Sequence, residues 1–300
     1  MVHIPVLLNE TVAALDPKSG ENFIDGTFGR GGHSLAILER TAPEGRILAI
    51  ERDAESLSAL PQELKEHPRI VFAAGSFADL GEIVREKEFV NVNGALFDLG
   101  MSSWHLEESG KGFAFSRNEP LDMRYDRKSP FTAADVINCS TAAELQDIFQ
   151  NYGQEKKAKK IAAAVERERK KKKIATAGEL AKIIEREAGL RQWRPAAARI
   201  FQALRIQVNR EFEHIEKGIP AAFEILAAGG RIAVITFHSG EDRIVKNIFK
   251  DFCRSGKAKA VYPKPIVPSD AEISQNPRAR SAKLRVLEKI SDAGSQIAKY

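Results

Sequence analysis

The chain has 300 residues, 43% of them apolar and 29% charged, which suits one large or two ordinary globular domains and excludes fibrous and disordered classes. No apolar run reaches the ~20 residues of a membrane span, MVHIPVLLNE lacks the basic start and long apolar core of a signal peptide, and Cys139 and Cys253 are too few for a disulfide framework or a cysteine zinc site. A reducing cytoplasm is the expected home, and a net charge of +5 with a pI of about 9.1 mildly favours a polyanionic partner.

In chain order, the first third alternates short β-rich runs with amphipathic segments. NFID (22–25), RILAIE (46–51), RIVFAA (69–74) and VNGALFDLG (92–100) read as strands, with HSLAILER and AESLSALPQEL as helices between them. This alternation predicts a parallel sheet covered by helices on both faces. From Asp98 to Gly230 the strand signal nearly vanishes, although a crossover needs only about 30 residues. SGKGFAFSRNEPLDMRYDRKSP (109–130) reads as an ordered loop. After it, TAAELQDIFQNYG, KKAKKIAAAVERER, TAGELAKIIEREAG and FQALRIQVNREFEHIEKGIPAAFEIL carry helical periodicity. GGRIAVITF (229–237) and SAKLRVLE (281–288) then restore the strand pattern. The expectation is a discontinuous core, residues 1–107 and 217–300, interrupted by a helical insert over 108–216. Within the insert, Glu155 to Lys173 holds ten Lys or Arg against three Glu, a local charge of +7. A solvated helix face and a patch that neutralises phosphates both fit that run.

The strand ends carry the candidate chemistry. DGTFGRGGHS (25–34) places Asp25 at a strand end, then four glycines, then a helix. It is not a P-loop, because no Gly-Lys-Ser/Thr follows, and it does not fit G-x-G-x-x-G cleanly. Glycines there let the backbone approach a ligand or take a positive φ; a tight turn with no ligand is the plainer reading. Glu51 ends the second strand, where a carboxylate of a nucleotide-binding α/β unit accepts ribose hydroxyls. Phe77 in GSFADL follows the third strand, placed to flank a base or to pack in the core. Asp98 ends the fourth, at the carboxyl edge where open α/β sheets bind ligands. His33, His105 and His238 lack paired metal spacing, and neither cysteine sits in a nucleophile motif. The residues alone thus give a nucleotide-binding α/β enzyme with a helical insert.

Longer motifs narrow this. DGTFGRGGHS, AIERD, DLGMSS, GFAFSRNEPLDMR, FQALRIQVN, FHSGEDRIVK and NPRARSAKLR follow one another in that order. Together, and almost end to end, they resemble the bacterial S-adenosylmethionine-dependent methyltransferases that modify the exocyclic N4 amine of a cytidine in 16S ribosomal RNA. The resemblance implies a class I methyltransferase fold, a Rossmann-like doubly wound sheet with an inserted all-helical domain. It implies S-adenosylmethionine as cofactor and 16S rRNA or the small ribosomal subunit as partner, with no metal and no membrane; a homodimer stays open. Carried over position by position, cofactor contacts fall on Gly31, Gly32, His33, Glu51, Phe77, Asp98 and His105. Four positions depart from the family pattern: Glu51 where Asp is usual, Trp104-His105 where Pro-Gln is usual, and Gly240 where Leu is usual.

The implied reaction needs in-line placement and an acceptor for the amine proton, since the sulfonium methyl is already activated. Asp98 is the first candidate acceptor, or else only positions the cofactor. Asp122 of PLDMR, and His238, Ser239 and Asp242 of FHSGED, are further candidates for base binding or proton removal, against a plain loop hydrogen-bond network. Trp104, Phe113 and Phe115 are candidates to stack on an extruded base, or to pack. Arg169 to Lys173, with Arg278 and Arg280, are candidates for rRNA phosphates. Two alternatives stay open: a methyltransferase acting on DNA or protein, and an RNA-binding assembly factor with a vestigial cofactor pocket.

Overall fold

The computed structural model describes residues 5–290; His3 and Ile4 of MVHIPVLLNE lie outside the described residues. The chain divides into two compact units, Met1–Gly100 with Phe212–Tyr300, and Met101–Glu211.

The first unit is built on a seven-stranded sheet ordered β3-β2-β1-β4-β5-β7-β6. Its elements run α1 (Leu8–Leu15), β1 (Asn22–Asp25), α2 (Gly32–Arg40), β2 (Ile47–Glu51), α3 (Ala54–Ser58), α4 (Gln62–Lys65), β3 (Ile70–Ala74), α5 (Leu80–Glu86) and β4 (Val92–Asp98). The second unit carries α6 (Ser103–Glu107), α7 (Ala133–Cys139), α8 (Ala142–Asn151), α9 (Ala158–Arg169), α10 (Ala177–Ala188) and α11 (Trp193–Asn209). The chain then runs on through α12 (Glu211–Ile225), β5 (Leu226–Thr236), α13 (Ser239–Arg254), β6 (Ala258–Ala260), α14 (Asp270–Gln275) and β7 (Lys283–Lys289).

Strands β1 to β5 pair in parallel, and β7 pairs antiparallel with both β5 and β6. Every residue of β2 is buried, because helices cover both faces of a parallel sheet and leave no wet side for polar residues to alternate with. Two apolar layers sandwich the sheet: Phe97, Phe223, Ile219 and Val245 lie on one face, Phe23, Ile37, Leu38 and Leu284 on the other. This is the class I methyltransferase arrangement, and the order reverses between β1 and β4. At such a switch point the loops leaving the two strands diverge and open a crevice at their carboxyl ends. β6 escaped the sequence reading, since three residues, Ala258, Lys259 and Ala260, carry no strand pattern of their own; pairing with β7 makes the strand.

The second unit is a helical bundle packed on Phe149, Ile161, Leu180, Ile184, Ile200 and Leu204. Thr132, Thr141 and Thr176 close capping boxes with Asp135, Glu144 and Glu179 and start α7, α8 and α10. Asn209 at the end of α11 is fully buried. Its amide donates to the Met123 and Arg205 carbonyls at 2.7 and 3.0 Å and accepts from the Tyr125 N–H at 2.9 Å, tying FQALRIQVN to the PLDMR segment. Arg205 grips Glu211 with two bonds of 2.8 and 3.0 Å. The sequence boundaries at 107/108 and 216/217 are displaced from those of the compact units. The second falls inside α12, because helical periodicity runs unbroken from α11 and only a left-handed Arg210 (φ 52) separates the two helices.

Candidate functional site

The site is built where β1, β2 and β4 end. Gly31 caps α2 in a left-handed conformation (φ 77), which a Cβ would strain. The glycines also meet protein rather than empty space. A Cβ at Gly31 would sit 2.6 Å from the Phe28 ring, one at Gly32 would overlap Pro5, and one at Gly26 would overlap the buried Phe97 ring. Glu51 reaches back onto this loop: its Oε2 accepts the Gly29 N–H and its Oε1 the Asp53 N–H, both at 3.0 Å. Glu51 thus stands at the carboxyl end of β2, where the acid of a nucleotide-binding α/β unit accepts the hydroxyls of a ribose diol. Phe77, after β3, packs edge-on to Phe97 with ring centres 5.3 Å apart. A Cβ on Gly218 of α12 would collide with its ring.

Two acids, Asp25 buried and Asp98 half-buried, stand where β1 and β4 end. Asp25 Oδ2 accepts from Ser34 Oγ at 2.6 Å and Oδ1 from the Thr27 N–H at 3.1 Å. Burial, opposed by the Ser34 bond, pushes its carboxyl up to about 6. The Asp98 amide donates to Thr27 Oγ1 at 2.6 Å, which joins the two strand ends. Burial also raises the Asp98 carboxyl, to about 7; the Gly100 amide opposes the rise and Glu241 adds to it. Asp98 Oδ1 is buried with no hydrogen-bond partner among the described residues. His33 lies beside both acids, its Nε2 3.0 Å from the Val6 carbonyl and its Nδ1 3.9 Å from Asp98 Oδ2. Burial lowers the His33 ring against the pull of Asp25, so the imidazole is neutral.

FHSGED forms the turn from β5 into α13. His238 and Glu241 make a capping box. The Glu241 carboxylate accepts the Phe237 and His238 amides at 2.8 and 3.3 Å and faces His238 Nε2 at 3.1 Å. Glu241 is among the most buried charged residues of the unit, and the sequence reading missed it. Its signal was its place three residues after His238, which is the N3 position of a capping box. Ser239 is exposed at the first turn of α13. Asp242 holds Arg285 at 2.7 Å and Lys283 at 3.1 Å; burial alone would raise its carboxyl, but the two cations hold it below the usual range. A Cβ on Gly240 would lie 2.6 Å from the Phe212 ring, which accounts for glycine where leucine is usual.

The remaining candidates lie in the helical unit. His105 is buried in an aromatic cluster, with Trp104, Phe113 and Tyr125 ring centres at 5.3, 5.3 and 4.8 Å. Phe113, 4% exposed, stacks on Tyr125; Phe115 packs edge-on to Trp193 and Phe201. These rings serve packing, whereas Phe131, in the turn before α7, is 65% exposed and was not among the sequence candidates. Asp122 grips Arg124 through bonds of 2.7 and 2.9 Å; Arg124 holds it below the usual carboxylate range against the effect of burial. The basic run is partly neutralised. Lys170 pairs with Glu166, Lys171 with Glu168 and Lys172 with Glu179, while Arg169 donates to the Ile137 carbonyl at 2.7 Å. Lys156, Lys159 and Lys173 are exposed and have no ion-pair partner among the described residues. In the first unit, Arg278 and Arg280 are exposed beside the buried Ala279.

The acids, the glycine turn and the diol acceptor suit a nucleoside ligand that also bears positive charge. Residues 1–290 match the model of a family described as the MraW methylase family. The ribosomal RNA small subunit methyltransferase H of Thermomicrobium roseum is 42% identical over 309 residues, spanning 97% of this chain and 95% of that protein. Its namesake from Carboxydothermus hydrogenoformans is 43% identical over 309 residues, spanning 97% and 99%. The one from Magnetococcus marinus is 41% identical over 312 residues, spanning 96% and 99%. With the match running from the first residue through β7, the chain belongs to the MraW methylase family.

Proposed function

We propose that the crevice between β1 and β4 binds S-adenosylmethionine, and that the chain transfers a methyl group from it to the exocyclic N4 amine of a cytidine in 16S ribosomal RNA. The observation that carries this is Asp98. It is a half-buried acid whose Oδ1 is buried and has no hydrogen-bond partner among the described residues, at the switch point of the sheet, in a chain whose relatives are named for small-subunit rRNA methylation. The fit to the cofactor is chemical: Glu51 accepts ribose hydroxyls, the Gly31–Gly32 turn lines the loop with backbone, and Phe77 borders the base side. Asp25, Asp98 and Glu241 supply negative potential for a cationic ligand.

Bound, the cofactor supplies a methyl group already activated on a sulfonium cation. The chain's own residues supply the rest. Asp98 is poised near neutrality, and a cation in the crevice favours its ionised form. Its free Oδ1 accepts the amine N–H, which pulls electron density onto a nitrogen whose lone pair is otherwise delocalised into the ring. A base with a pKa near the working pH both exists in its ionised form and still has affinity for a proton. Asp122 and Asp242, each held ionised by cations, orient the PLDMR turn and the start of α13 instead. His238 and Glu241 fix the FHSGED turn.

The helical unit is the RNA side of this reading. Lys156, Lys159 and Lys173 offer charge to phosphates, and Phe131 a ring to an unpaired base. The enzyme works where ribosomes are assembled, in the cytoplasm. Neither a DNA substrate nor an assembly role with a dead pocket is favoured, since Glu51 and Asp98 are intact and the relatives carry an rRNA name. The test is incorporation of labelled methyl into small-subunit rRNA, followed by mass mapping of the nucleotide. Label on the N4 amine of a cytidine is expected. Label on a ring carbon or a ribose hydroxyl, or none on any RNA, overturns the assignment.

A further inference from the structure

His33 was marked by sequence as part of the cofactor loop, and its buried side chain lies between the Val6 carbonyl and the Asp98 carboxyl. Nε2 faces the Val6 carbonyl at 3.0 Å, and a carbonyl only accepts, so Nε2 carries the proton. In a neutral ring the other nitrogen then holds a lone pair. That lone pair, on Nδ1, lies 3.9 Å from Asp98 Oδ2, about 1 Å outside hydrogen-bonding range. The ring is buried, and three groups surround it: the Asp98 carboxyl at the end of β4, the Asp25 carboxyl at the end of β1, and the Val6 carbonyl before α1. Asp98 in turn faces His33, the Gly100 amide and Glu241 of α13. A cation formed on His33 would therefore sit beside two carboxylates and donate at both ends.

Resting on the proposed methyl transfer, we infer that His33 is a positioning residue for Asp98 and the final holder of the proton that the amine loses. The amine lone pair forms the N–C bond while the S–C pair stays on sulfur. The N–H pair returns to nitrogen, and the proton goes to Asp98 Oδ1. Turning the carboxyl about its Cβ–Cγ bond presents that proton to His33 Nδ1; burial alone disfavours the imidazolium, and the attraction of the two carboxylates it then faces, Asp98 and Asp25, offsets that cost and leaves Asp98 ionised again. Charge balances: the sulfonium loses one positive charge and the imidazole gains one. Asp25 and its Ser34 bond hold the second carboxylate in place to favour the imidazolium.

His33→Gln separates this role from a structural one, because the amide can still donate to the Val6 carbonyl but offers no basic nitrogen to Asp98. The comparison uses the full chain and small-subunit rRNA at saturating S-adenosylmethionine, so that a change in cofactor binding does not enter the rate. The single-turnover rate is expected to fall about tenfold or more and to keep climbing with pH where the wild-type rate has levelled, since solvent base must replace the ring. Nitrogen-15 NMR of the wild-type His33 ring gives a second readout that survives a misfolded variant: neutral, with the proton on Nε2. A rate and pH profile equal to wild type, or a proton found on Nδ1, overturns the inference. A wild-type protein that transfers no methyl to the amine would instead overturn the functional reading itself.

Discussion

Asp98→Asn is expected to stabilise the protein while removing its activity, and the size of the gain follows from the site. The wild-type carboxyl is raised from 3.8 to about 7, mainly by burial. Each tenfold change in an ionisation constant is worth about 1.4 kcal/mol, so full ionisation of the folded protein costs about 4 kcal/mol. The Asp98 side chain keeps 23% of its exposure, and solvent there relaxes the penalty, leaving about 2–4 kcal/mol. The sign is fixed by proton counting. Between 3.8 and about 7 the folded state holds more protons at this site than the unfolded state, so wild-type stability declines as pH rises through that window. Asparagine keeps an oxygen for the Gly100 amide and carries no charge, so its advantage grows across the window and flattens above it. Urea unfolding of both proteins at pH 5.5, 7 and 8.5 measures the gap, and at pH 8.5 the variant should melt roughly 5–10 °C higher. A gap that is absent, or that shrinks with rising pH, refutes the claim that burial strains this carboxyl.

Other perturbations test the neighbouring ties. Gly26→Ala should cost about 1–3 kcal/mol through overlap with the buried Phe97 ring, and Phe97→Leu in the same chain should recover most of it; a normal melting point with lost cofactor affinity would mean that the glycine serves the ligand instead. Asn209→Ala should destabilise the helical unit by about 2–3 kcal/mol, since it strands the Met123 carbonyl and the Tyr125 amide, and a shift of under half that in urea midpoint would place those bonds in water. Neutralising Lys156, Lys159 and Lys173 together should weaken rRNA binding and reduce the slope of log affinity against log salt by about 2–3. The same change at Lys170, Lys171 and Lys172, whose charges face Glu166, Glu168 and Glu179, should do less, and equal effects would erase the distinction.

The parallel sheet and its interruption were legible because both are periodicity. Apolar runs such as ILAIE bury on two faces, and the helical segments repeat on one. Positions at strand ends were legible too, since topology alone sends Asp25, Glu51 and Asp98 to one edge. What the sequence hid is pairing. Asp122 has its cation two residues on, in Arg124 of the same motif, but Asp242 and Asp98 are each an acid in an unusual motif, and nothing local says that the first meets cations and the second does not. Arg285 and Lys283 reach Asp242 from a strand more than forty positions away. Burial was equally invisible for the rings: Phe113 and Phe131 both sit in loop sequence, yet one stacks inside the bundle and the other stands in water. Glu241 was passed over because a capping glutamate is ordinary, and only the fold shows that it lies close enough to raise Asp98.

That contrast among acids also bears on what the crevice binds. A buried carboxylate with a cation partner is already satisfied, and its proton affinity falls, as at Asp122 and Asp242. Asp25 and Asp98 are buried without one, and both rise. Such an arrangement costs stability and persists where a ligand completes it. A neutral or anionic ligand would leave the two acids protonated or repel them; a sulfonium-bearing one lowers both and stabilises the protein by as much as it does so. Binding should therefore release protons near neutral pH, because the carboxyls ionise as the cation arrives. Calorimetry in buffers of different ionisation enthalpy reads that count directly. Release that disappears in Asp98→Asn would assign it to the carboxyl with the free oxygen, whereas no release in the wild type would mean that the cation lies out of reach of both acids.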